Sequence, residues 1–126
     1  MFIFSGIIAA AFAYLCNKVI LKRFGSNSLV AFVPFIEEFS KSIAAVLMST
    51  HIVGTHFVFG CIEGIYDIVT SSKKIGNLAA LASVVSHSFF GLITYITFGK
   101  SDSILIAVLV AWVFHSAWNW YITKYL

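Results

Sequence analysis

The sequence has little charge. Only 10% of its 126 residues are charged, eight basic and five acidic, where a soluble domain carries about 25%. A soluble domain this small exposes much of its surface and needs polar residues to cover it. The shortage excludes a soluble globular domain and a disordered chain. A net charge of +3, with lysines scattered at the ends of apolar stretches, excludes a nucleic-acid binder. Cysteine is scarce too. Cys16 and Cys61 both fall in apolar stretches, which argues against a disulfide framework. There is one proline, Pro34. No basic run precedes the first apolar stretch; Lys18, Lys22 and Arg23 follow it, the pattern of a retained anchor rather than a cleaved signal peptide.

Apolar residues are abundant: 60% of the chain is hydrophobic and 17% aromatic. They fall into five segments, roughly 3–20, 29–48, 52–69, 78–98 and 104–122. Each has about the 18 to 20 residues that a spanning helix needs. The breaks between them carry Gly, Ser, Asn and Lys, as loops do. The expectation is an all-α, polytopic membrane protein, a single bundle of about five transmembrane helices in a lipid bilayer.

Basic residues predict its orientation. Lys18, Lys22, Arg23, Lys73, Lys74 and Lys124 share one side, and Lys100 with Asp102 marks the other. An odd number of spans then puts the N-terminus outside and the C-terminus in the cytosol.

Four of the five acidic residues, Glu37, Glu38, Glu63 and Asp67, lie inside apolar segments, with Lys41. A charge at the bilayer centre costs about 2.5 to 3.5 kcal/mol on insertion scales, so such residues face the bundle interior and mark function. Glu37 and Glu38 lie four and three residues before Lys41, spacings that put partners on one helix face. His56, Gly60, Glu63, Asp67 and Thr70 form a stripe in the third segment, and Ser83, His87, Gly91 and Thr94 another in the fourth. Gly60 and Gly64 make a GxxxG pair, which permits close helix approach. His115 and Asn119 are one turn apart in the fifth. Gly6, Ala10, Ala13 and Asn17 in the first read as a packing face without chemistry. His51 and His56 read as interfacial residues near the outer turn, and the tryptophans and most tyrosines as belt aromatics.

Depth sharpens this picture. At about 1.5 Å per residue from the cytosolic end, Glu37 lies about 12 Å deep, Glu63 about 9 Å, His87 about 14 Å and His115 about 10 Å. Four helices place a polar residue in one layer. Pro34, three residues before Glu37, predicts either a kink or a helix that begins there after an irregular approach.

A carboxylate and an imidazole around one water form a general base. A second His with an Asn one turn on can donate to an oxyanion. The same donors can bind zinc, which needs three ligands and a water, although HExxH is absent. A proton or ion path also uses buried Glu, Asp and His. No GxSxG elbow is present, and no Asp pair of the aspartyl intramembrane protease kind.

The ordered set Glu37-Glu38-x-x-Lys41, Gly60-x-x-Glu63, His87 in SHSFFG, and His115 with Asn119 in HSAWN resembles the PrsW family of membrane proteases, part of a wider group with the prenyl-CAAX endopeptidases and bacteriocin-processing proteins. The resemblance spans the second to fifth segments. It implies a glutamate-dependent intramembrane endopeptidase of a bacterial or archaeal cell membrane, acting on a membrane-anchored protein or peptide. Glu37 would activate water with His87 assisting, Glu38 and Lys41 would shape and charge-balance the site, and His115 and Asn119 would form the oxyanion site. No cofactor is implied in that version; a zinc-dependent version is the alternative. Two departures stand out. Ser83 occupies the place of a Phe in the CAAX-type relatives, and Gly64 follows Glu63 where Glu-Asn is usual, which leaves Glu63 a supporting residue. Most members are longer, so a homo-oligomer could supply missing helices.

Overall fold

The computed structural model describes residues 1–125 and contains five α-helices and one short 3-10 turn, with no strand among those residues. The helices are α1 (Phe2–Phe24), α2 (Phe32–Leu47), α3 (Ile52–Thr70), α4 (Lys73–Ser101) and α5 (Ile104–Tyr125). Four of them, α1, α3, α4 and α5, are long and apolar enough to cross a membrane. The protein is an all-α, polytopic membrane bundle.

The bundle is inverted relative to a soluble protein. Phe4, Leu15, Leu81, Val85, Leu105 and Val113 point outward, as side chains do when the solvent is lipid. Glu37, Glu38, Lys41, His56, His87 and His115 are buried.

The second expected span is shorter than predicted. At 16 residues α2 is not among the long apolar helices. Residues 26–29 form the 3-10 turn instead, and the helix starts at Phe32. Pro34 therefore sits in the first turn, where a missing N–H removes no helical bond, and no kink is needed. Half of α2 is buried, and it packs against α1, α3 and α5. Its charges are tolerated because its neighbours cover them.

The non-helical approach to α2 is held by α5. Trp112 Nε1 donates to Ala31 O at 2.8 Å, and Asn119 Nδ2 donates to Leu29 O at 3.0 Å. Irregular backbone at depth survives only where its carbonyls find such partners. Trp112 is thus a brace rather than a belt residue.

Close packing of α3 on α4 rests on glycine, as the GxxxG pair predicts. A Cβ on Gly60 would lie 2.9 Å from Ser83 O and 3.0 Å from His87 Cβ, and one on Gly64 would lie 3.1 Å from Ala80 O. Ser83 Oγ also donates to Asp67 Oδ2 at 3.1 Å across this seam. At the start of α3, His51 is a helix cap: its Nδ1 accepts from the Gly54 N–H at 3.1 Å.

Candidate functional site

The side chains sought in one layer meet. Glu37, His87 and His115, from α2, α4 and α5, each present a donor atom within 4.8 Å of the others, and all three are buried. Glu38 and Lys41 adjoin them from α2 and Glu63 from α3.

Glu38 organises one half. Its Oε1 accepts from Lys41 Nζ at 2.6 Å and from His115 Nδ1 at 2.7 Å, with both acid and lysine wholly buried. Lys41 Nζ also lies 4.6 Å above the Phe59 ring, whose face attracts a cation. On its other side Lys41 Nζ lies 2.8 Å from His87 Nδ1. An ammonium has only donors, so His87 Nδ1 accepts. The ring proton is then on Nε2 and donates to Glu63 Oε2 at 2.5 Å. Both nitrogens of His87 are engaged. Glu63 is the most open member of the set, with about 35% of its side chain exposed.

His115 is arranged differently. With Nδ1–H on Glu38, its Nε2 carries a lone pair, and that atom faces Glu37 Oε2 at 3.7 Å. The other oxygen of Glu37 accepts from Asn17 Nδ2 at 2.9 Å. Two acceptors, a carboxylate oxygen and an imidazole nitrogen, thus flank a gap wide enough for one water to bridge. Phe90 closes the cluster: its ring stacks on His115 at 4.6 Å and meets His87 edge-on at 6.0 Å.

Three sequence expectations are corrected. The two histidines are bonded differently from what their expected roles suggest: His115, not His87, has the acceptor nitrogen that faces Glu37. Asn119 points its amide at Leu29, a backbone tie rather than a donor aimed into the cluster. His56 is not interfacial: it is wholly buried, with Nδ1 3.7 Å from Glu38 Oε2.

Asn17, read from the sequence as part of a packing face, is the direct partner of Glu37. A lone Asn in line with Gly6, Ala10 and Ala13 was the available signal, since small residues bring a neighbouring helix within reach.

Zinc can be tested against these donors. His115 Nε2 backed by Glu38 is the usual arrangement of a ligating histidine with its carboxylate partner, and Glu37 offers an oxygen. The third donor fails. His87 has no free lone pair while Lys41 holds Nδ1 and Glu63 holds Nε2, and a catalytic zinc needs three protein ligands. The buried ammonium of Lys41 occupies the Nδ1 side of His87.

Beside the cluster, α4 and α5 part to leave an apolar groove of about 460 Å³ lined by Ala82, Val85, Phe89, Phe114, Trp118 and Tyr121, with Phe90 in its wall. Comparison with protein-family models, with curated proteins and with solved structures finds no match to this chain.

Proposed function

We propose that the protein is an intramembrane endopeptidase that hydrolyses a peptide bond of a membrane-anchored protein, with Glu37 as the water-activating base. The observation that carries this reading is the 3.7 Å gap between Glu37 Oε2 and the lone pair of His115 Nε2. A water there donates toward both acceptors, which aims its own lone pair away from them, at a substrate carbonyl. As its oxygen forms the bond to the carbonyl carbon, Glu37 takes the proton. It then returns that proton to the departing amine as the C–N bond breaks. Glu38 fixes the tautomer and plane of His115, as the carboxylate of a hydrolytic triad fixes its histidine. The buried ammonium of Lys41 supplies the positive field for the oxyanion, and Asn119 braces the approach to α2.

The apolar groove between α4 and α5 suits a substrate segment arriving from lipid, with Phe90 between it and the histidines. The resemblance to the PrsW family supports the same chemistry. Basic residues at the segment ends support an outer N-terminus, a cytosolic C-terminus and cleavage in the cytosolic half of a bacterial or archaeal cell membrane.

The test is cleavage of a library of transmembrane peptides by the purified protein in liposomes, beside Glu37→Gln. Cleavage that the substitution abolishes is expected. Cleavage undiminished by it removes Glu37 from the role. Proton flux through the liposomes with no cleavage replaces the reading by a proton-coupled membrane protein.

A further inference from the structure

His56 lies in α3, and both of its ring nitrogens are buried without a hydrogen-bond partner among the described residues. Glu38 Oε2 is buried and unpartnered as well. These orphans face each other: Nδ1 lies 3.7 Å from Oε2. That is too long for a direct hydrogen bond and short enough for one small molecule to touch both. Buried polar groups are almost always bonded, to protein or to ordered water, and a water needs two to four polar partners to settle.

The ring is received by a shaped space. A Cβ on Gly91 of α4 would lie 2.6 Å from His56 Cβ and 2.9 Å from its Cγ, so only glycine lets the imidazole sit there. One turn after Glu38 on the same face of α2, the Ser42 hydroxyl is likewise buried and unpartnered.

We propose that His56 and Glu38 Oε2 hold a buried water molecule, and that His56 acts through it as a positioning residue for the Glu38–His115 pair. The water donates one proton to Oε2 and meets Nδ1 as donor or acceptor according to the ring's tautomer. Glu38 is then held at both oxygens, by Lys41 and His115 on one and by the water on the other. A carboxylate held at one oxygen still turns about its terminal bond; held at both, it sets the plane of the His115 ring. The water site does not depend on the peptidase reading, whereas the positioning role rests on it.

The experiment is a crystal structure of the full chain grown in a lipid mesophase, at a resolution that shows ordered waters, with the infrared carboxylate band of isotope-labelled Glu38 as a second readout. In the wild type, density is expected within about 2.6–3.2 Å of both Nδ1 and Oε2. His56→Phe, which keeps the ring volume without polar atoms, is expected to lose the density and shift the band. His56→Asn, whose amide stands near the place of Nδ1, is expected to restore both. A dry gap, or a direct bond between His56 and Glu38, overturns the water site. Neither readout uses a substrate, so this failure is separable from failure of the peptidase reading. The positioning role is read by cleavage: kcat is expected to fall in His56→Phe with KM unchanged and to recover in His56→Asn. Unchanged kcat in His56→Phe overturns that role.

Discussion

Glu37 and Glu38 are neighbours on α2, and the turn of about 100° between successive helical residues sends them into unlike surroundings. Around Glu38 an oxygen receives both a buried lysine and a histidine ring, and the acid is fully covered. Around Glu37 one oxygen is steadied by Asn17 and the other faces a histidine lone pair across a gap. One half of the site is tied to a lysine and a histidine through a single carboxylate oxygen. The other keeps a carboxyl oxygen and an imidazole nitrogen 3.7 Å apart with no direct bond between them. Adjacent acids of the same type thus differ by what they touch.

That contrast breaks most visibly at Glu37. Glu37→Gln is expected to lower cleavage by about 10²- to 10⁴-fold, the usual worth of a general base, while unfolding in mixed micelles is unchanged. Equal loss of activity and stability would erase the distinction between the halves. Glu38→Ala is expected to fail in the opposite way. It leaves Lys41 and His115 buried without their carboxylate, a loss of about 3–5 kcal/mol readable by thermal unfolding. Wild-type stability in that variant would show that the pairing holds nothing together.

Gly60→Ala tests whether His87 depends on the tight α3–α4 seam. Its added Cβ meets a backbone oxygen, so a cost of about 1–3 kcal/mol is expected, with the His87–Glu63 bond disturbed in the imidazole NMR signals; an unperturbed seam would mean that the helices separate freely. Asn119→Ala is expected to cost only about 0.6–1.7 kcal/mol, the range of an interhelical hydrogen bond in a membrane, and to leave cleavage within tenfold. A drop of 10²–10³ instead would restore Asn119 as an oxyanion donor. Smallest of all, chelators are expected to leave cleavage unchanged and purified protein to hold no stoichiometric zinc, measured by elemental analysis. Zinc at one equivalent would mean that Lys41 gives way to a metal.

Much of the arrangement was legible in the sequence because helical rise converts residue number into depth. Counting alone puts Glu37, His87 and His115 in one layer, and the spacing of Gly60 and Gly64 announces the close seam. Depth says nothing about rotation round a helix axis or about which ring nitrogen faces which neighbour. The different bonding of His87 and His115 was therefore hidden, as was the turn of Asn119 toward Leu29. His56 was misplaced for a related reason: it is only five residues after the cap of α3, so its position along the helix suggests an interface, while its azimuth, and the space left by Gly91, carry it inward. Asn17 was overlooked because one amide among small residues has the pattern of packing. The shortness of α2 followed from Pro34, which fits a first turn as well as a kink.

The two donors that α5 lends to the approach of α2 make a mechanical connection. Trp112 and Asn119 grip Ala31 and Leu29, a few residues upstream of Glu37, and α5 also forms one wall of the apolar groove. The same helix thus borders the groove and holds the backbone that leads into α2.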